Sequence, residues 1–170
     1  YETYKGQIKE AVAGFGSTLL KDGKISINSS WSTERANRTA VGITKTGKVV
    51  FMTLDGRQAA SCGGTLREIA QIMLEAGCVN AINLDGGGST TYVAKQEGDS
   101  ELSVVNNPSD GYSRSVANSL MVVSTSPSST AFDHAVLSSA TEYMTKGSSL
   151  QVTAKGVSAT GAEADLPENE

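Results

Sequence analysis

Apolar and polar positions alternate with two different periods along this chain, and the change of period divides it into elements. Ser17 to Leu20 and Ile25 to Ile27 are short apolar runs on either side of Lys21-Asp22-Gly23-Lys24, the pattern of a β-hairpin turning at Asp-Gly. Asn28 to Asn37 is polar and reads as a loop holding the single tryptophan, Trp31, which anchors the loop or stacks on a sugar ring. A second hairpin follows, with strands Ala40 to Thr44 and Lys48 to Leu54 around Lys45-Thr46-Gly47. The period then changes. Leu66, Ile69, Ile72, Met73 and Ala76 recur at helical spacing, predicting a helix over Thr65 to Ala76. Thr65 and Glu68 form a capping box at its start, and Gly77 is its natural stop. Val79 to Leu84 is a short buried strand, Tyr92 to Lys95 and Leu102 to Val105 are brief strands, and Ser115 to Ser124 is the longest apolar segment of β type, predicted as a central strand. The first thirteen residues show no clear period.

The resulting fold class is α+β: a mixed, mostly antiparallel sheet with one prominent helix, followed by a β-rich tail. Ser124 to Thr130 has linker composition, placing a boundary near residue 125 and dividing the chain into 1–125 and 126–170. Within the tail, Ala135 to Leu137, Glu142 to Met144 and Ser149 to Ala154 are strand-like pieces resembling the opening of an immunoglobulin-like module, or else a partly ordered tail.

Composition narrows the function. The chain has 170 residues, a formal net charge of −4 and 18 glycines, which suits a turn-rich globular domain without a basic footprint for nucleic acid. No apolar run is long enough to span a bilayer. Cys62 and Cys78 flank the predicted helix, whose ~12 residues rise roughly 18 Å, so no disulfide, with its limit of about 7 Å between Cα atoms, is expected between them. The single histidine, His134, lies far from the other candidate residues, so acid–base chemistry falls to Asp, Glu, Tyr or Lys.

One stretch concentrates candidate chemistry: Asn83-Leu84-Asp85-Gly86-Gly87-Gly88-Ser89-Thr90-Thr91. Asp85 stands at a strand end, and successive N–H groups of a glycine-rich turn can cradle an anion, although such a turn can also be structural. These residues resemble the signature of the phosphodiester glycosidase family. Arg38-Thr39-Ala40-Val41-Gly42, Asp55-Gly56-Arg57, Gly64-Thr65-Leu66-Arg67-Glu68, Asn106-Asn107-Pro108-Ser109-Asp110 and Arg114-Ser115-Val116-Ala117-Asn118 resemble the same family in the same order. The resemblance spans roughly Gly14 to Val123; strands that the family carries upstream are not seen.

The resemblance implies hydrolysis of a sugar-1-phosphodiester, on N-acetylglucosamine-type or cell-surface glycans, in an extracellular or cell-surface setting. It implies Asp85 as the catalytic carboxylate, with Glu68 a second candidate that the capping box also explains. Arg38, Asp55, Arg57, Gly86, Gly87, Gly88, Ser89, Asn106, Arg114 and Asn118 become candidates for holding the phosphate and sugar. Arg38 and Arg114 are expected to converge on one anion, since a guanidinium suits bidentate phosphate binding. Asp55, Arg57 and Asn118 have structural readings as turn and loop-tying residues. No cofactor or metal is expected; Asp85, Asp55 and Asp110 could supply oxygens to Ca²⁺, but their spacing is not that of an EF-hand. The rival functions are a non-catalytic module binding phosphorylated cell-wall glycans and a purely structural surface segment.

Overall fold

The computed structural model describes residues 5–8, 11–28 and 33–167, so Trp31 lies outside the described residues. The chain divides into two compact units, Tyr1–Tyr92 with Val104–Ala117, and Val93–Ser103 with Asn118–Glu170. The division falls at residue 117 rather than near 125, and residues 93–103 join the second unit.

The first unit is built on a five-stranded sheet of β1 (Thr18–Lys21), β2 (Lys24–Ile25), β3 (Arg38–Thr44), β4 (Val49–Leu54) and β5 (Cys78–Asn83), in the order β2-β1-β5-β3-β4. Every pairing in it is antiparallel. In the first hairpin Lys21 pairs with Lys24, leaving Asp22 and Gly23 as a two-residue loop with φ of 50° and 76°. Positive φ at both positions matches the right-handed twist of the strands, which is why Asp-Gly turns here. The strand β5 lies between β1 and β3, so the glycine-rich segment leaves the sheet from its middle strand.

The helix α1 (Leu66–Glu75) begins where the sequence marks it. Thr65 Oγ1 accepts from the Glu68 backbone N–H at 3.2 Å, and Glu68 Oε2 accepts from the Thr65 backbone N–H at 2.8 Å. Its buried residues are Leu66, Ile69, Ala70 and Met73. Ile72, expected on this stripe, is exposed, and Ala70 takes its place. Spacings of three, four and seven residues from Leu66 define the face that meets the sheet. There α1 packs with Leu19, Leu20, Ala40, Cys78 and Ala81 into one core. Truncating a buried Leu, Ile or Met of this kind to Ala costs about 2–5 kcal/mol. Cys62 is exposed, Cys78 is buried, and both are free thiols, as the intervening helix predicts.

Strands β6 (Val93–Ala94) and β7 (Ser103–Val104) form a two-stranded ribbon. The second unit contains a three-stranded antiparallel sheet, β10-β9-β8, of β8 (Phe132–Ser139), β9 (Val152–Ser158) and β10 (Glu163–Ala164). His134 sits on β8, between the carboxylates of Asp133 and Glu97.

Two sequence expectations are corrected. Ser115 to Ser124 is not a strand, and Met121, Val122 and Val123 are 78%, 82% and 74% exposed. A continuous apolar run carries no period of its own, and a strand needs a partner edge; no described strand pairs with this segment. Glu142 to Met144 is likewise turn and coil, and the third strand of the tail is Glu163–Ala164 instead. Among the described residues no helix is long and apolar enough to cross a membrane.

Candidate active site

At the end of β5, Leu84 N–H donates to Thr39 O at 2.8 Å, and the chain then leaves the sheet. Asp85 is exposed, with one oxygen fixed: the Gly86 N–H donates to its Oδ1 at 2.9 Å. Gly87–Ser89 form one short 3-10 turn. Gly86 is required by the backbone against it and Gly87 by its φ of 58°, while Gly88 lies against the ends of two side chains. A Cβ on Gly86 would sit 2.7 Å from Asn37 O, one on Gly87 3.1 Å from Arg57 Nη1, and one on Gly88 2.5 Å from Asp110 Oδ1 and closer still to Arg114 Nη2. The triple glycine thus lets a neighbouring backbone and two arginines close in.

This corrects the expected amide cradle. The Gly86 N–H is held by Asp85, the Gly87 N–H donates to Asn37 O at 3.1 Å, and the Ser89 N–H donates to Gly86 O at 3.1 Å. Of the four amides from Gly86 to Ser89, that of Gly88 alone has no recorded acceptor among the described residues. The loop serves the site by the side chains it lacks, not by a row of open N–H groups.

The turn borders a cavity of about 350 Å³, lined by Phe15, Glu34, Ala36, Arg38, Arg57, Asn83, Asp85, Gly86, Gly87, Gly88 and Arg114. Arg38 opens β3 and is 5% exposed; its Nε donates to Gly64 O at 3.0 Å and its Nη2 to Glu34 O at 2.6 Å. Burial holds this guanidinium below its ordinary pKa. Arg57, just past β4, has φ of 56°, the left-handed region that non-glycine residues rarely adopt. Its Nη2 donates to Glu34 Oε1 at 3.3 Å. Arg114 donates through Nε to Asp110 Oδ2 at 2.9 Å. Three guanidinium groups and two carboxylates, Asp85 and Glu34, therefore line one concave space, with Asp110 paired to Arg114 beside it. Arg38 and Arg114, far apart in sequence, both lie in this lining.

Other expected site residues lie elsewhere. Glu68 is not in the lining. Its Oε2 accepts from the Thr65 backbone N–H at 2.8 Å and from Thr65 Oγ1 at 3.0 Å, and its Oε1 pairs with Arg35. The Thr65 hydrogen bonds, backbone first, hold its carboxyl below the usual glutamate range, with Arg35 adding to them. Asp55 is a clamp: Asn106 Nδ2 donates to its Oδ1 and the Asn107 N–H to its Oδ2, both at 2.8 Å. Asn106 also accepts from the Tyr92 N–H at 2.7 Å and donates to Thr90 O at 3.1 Å. Asp55 and Asn106 thus tie the loop carrying Asp110 and Arg114 to the end of β4 and the end of the glycine turn. Ser89 is outside the lining, and Asn118 is exposed in the second unit. No group of three or more His, Cys, Asp or Glu is placed to hold a metal among the described residues.

Sequence reasoning passed over Glu34, Phe15, Ala36 and Asn83. Asn83 stood inside the quoted motif without a role. Its Nδ2 donates to Phe15 O at 2.7 Å and Leu84 O at 2.9 Å, tying the loop before β1 to the end of β5. Glu34 lies four residues before Arg38, in a run that reads as polar loop; its nearness to that motif was the available signal.

A family model described as phosphodiester glycosidase matches residues 1–123. An uncharacterized SPbeta prophage-derived protein of Bacillus subtilis is 35% identical over 112 residues, which is 64% of this chain and 16% of that protein. The human N-acetylglucosamine-1-phosphodiester alpha-N-acetylglucosaminidase is 38% identical over 91 residues, 44% of this chain and 18% of the enzyme. The chain therefore spans less than a fifth of the length of these two relatives. Among solved structures, the auto-inhibited catalytic domain of the zebrafish N-acetylglucosamine-1-phosphodiester alpha-N-acetylglucosaminidase matches with a TM-score of 0.48 and 34% identity, covering 58% of this chain and 34% of that one.

Proposed function

Because the chain belongs to the phosphodiester glycosidase family, we propose that its cavity hydrolyses a sugar-1-phosphodiester, breaking the bond between the anomeric carbon and the phosphate oxygen. The observation that carries this reading is the meeting of Arg38, Arg57, Arg114 and Asp85 around one cavity. A phosphodiester enters with one negative charge and leaves as a monoester with nearly two. Guanidinium groups bind the second state better than the first, and such differential binding lowers a barrier. Positive charge develops at the anomeric carbon as the bond stretches, and a carboxylate beside it stabilises that charge. Asp85, with Oδ1 fixed by its neighbour's amide, is assigned this task. Phosphate is a good leaving group, so arginine neutralisation stands in for much of the protonation a general acid would give.

The sugar we favour is N-acetylglucosamine, on the strength of the human relative's name. An extracellular or cell-surface setting belongs to the same proposal. The test is release of free sugar and phosphomonoester from a phosphodiester of N-acetylglucosamine-1-phosphate. Equimolar release of both supports the reading. Tight binding of N-acetylglucosamine-1-phosphate without release would instead favour a glycan-phosphate-binding module, which the short coverage of the relatives keeps in view.

A further inference from the structure

Two carboxylates line the cavity, and the phosphodiester reading uses only Asp85. Hydrolysis by water also needs a group to take the water's proton. Resting on that reading, we infer that Glu34 is this general base, held in place by Arg57.

Five observations carry the assignment. Glu34 is tied at its backbone, where its carbonyl accepts from the buried Arg38 Nη2 at 2.6 Å. Its carboxylate is tied at one oxygen, Oε1, by Arg57 Nη2 at 3.3 Å, and Oε2 has no recorded partner among the described residues. Arg57 makes that contact from a left-handed backbone, φ 56°, in a position where strain in a non-glycine residue marks a geometric demand. The loop opposite accommodates it, since a Cβ at Gly87 would press on Arg57 Nη1 at 3.1 Å. The Glu34 side chain is also 58% exposed, so water reaches it, as a base that activates water requires. Asp85 suits the other role, being fixed at a strand end. Glu68, with three contacts on its two oxygens, suits neither.

The step balances as follows. A water oxygen bonds to the anomeric carbon, and one of its protons passes to Glu34 Oε2. The bond from that carbon to the phosphate oxygen breaks, its electron pair leaving with the phosphate. The products are the free sugar and a phosphomonoester held by the arginines, and Glu34 returns its proton to solvent.

The experiment measures kcat, KM and pH profile for the full chain and its Glu34→Gln and Glu34→Ala variants, using methyl N-acetylglucosamine-1-phosphate as probe. Glu34→Gln is expected to lower kcat by about 10²–10⁴-fold across the pH profile, with KM within about threefold. Added azide, an anionic nucleophile needing no base, restores turnover to Glu34→Ala and yields a glycosyl azide. Near-normal kcat in Glu34→Gln, beside an active wild type and an inactive Asp85→Asn, overturns the assignment alone. So does azide rescue of Asp85→Ala but not of Glu34→Ala, or a fall in kcat matched by a lowered melting point. Wild-type protein that releases no sugar overturns the phosphodiester reading and this assignment together.

Discussion

The cavity wall and the start of α1 each carry a glutamate–arginine pair, and the two pairs look alike by exposure. Arg57 and Glu34 are 52% and 58% exposed; Arg35 and Glu68 are 48% and 46%. Exposed pairs of this kind add little to stability, so attraction alone does not tell their roles apart. Their remaining bonds do. Both oxygens of Glu68 are engaged, by Thr65 and Arg35, and Arg35 also donates to Gly63 O at 2.8 Å, so this pair closes the helix start onto the preceding loop. Glu34 has one engaged oxygen and faces a cavity. A carboxylate whose bonding capacity is filled by the fold builds structure; one left partly unfilled at a concave surface can do chemistry.

The sharpest way to break this contrast is to neutralise a carboxylate in each region. Asp85→Asn is expected to cut kcat on the phosphodiester by about 10²–10⁴-fold with its melting point kept, whereas Glu68→Gln keeps kcat within about twofold of wild type. Steady-state kinetics beside thermal melts reads both. If Glu68→Gln abolishes turnover and Asp85→Asn does not, the chemistry belongs at the helix start.

Removing a cation from the cavity is the next largest test. Arg114→Ala should weaken binding of N-acetylglucosamine-1-phosphate about tenfold or more, since a charge-assisted bond contributes roughly 1.5–3 kcal/mol. Calorimetric titration measures it, and unchanged affinity would remove Arg114 from the phosphate site.

On the helix side, Thr65→Ala removes the cap and should destabilise the fold by about 1 kcal/mol, with kcat unaffected. Urea unfolding shows this as a lower midpoint at unchanged slope. An unaltered midpoint would mean that the cap contributes nothing.

The smallest expected effect is a pH dependence of stability. The folded-state pKa of Glu68 is depressed below its ordinary 4.5. Its contribution is therefore present in full above the unfolded value and is lost as pH falls through the folded one. Wild-type stability should drop below about pH 4.5 more steeply than that of Glu68→Gln. Parallel curves between pH 3 and 6, on the order of that window, would remove the carboxylate from the account.

Local chemistry made much of the fold legible. Asp22-Gly23 forces a hairpin, Thr65 and Glu68 mark a helix start, and the alternation in Arg38–Thr44 and Val49–Leu54 defines two paired strands. The apolar run from Ser115 was misread because its composition says nothing about whether a partner edge exists. At the site, the motifs located Asp85, Arg38 and Arg114, yet the glycines' purpose was invisible: it depends on Asn37, Arg57 and Arg114, all remote in sequence from the turn.

The sequence by itself determined which segments become helix, hairpin and turn, and which family the chain resembles, because those signals are carried by residues within a few positions of each other. Only the tertiary structure decided which polar groups remain available. Asp55 is held by Asn106 and Asn107, Glu68 by Thr65 and Arg35, and the turn amides by Asn37 and their own loop. Hydrogen-bonding capacity is finite, and contacts across up to 52 positions in these sets determine whose is already filled.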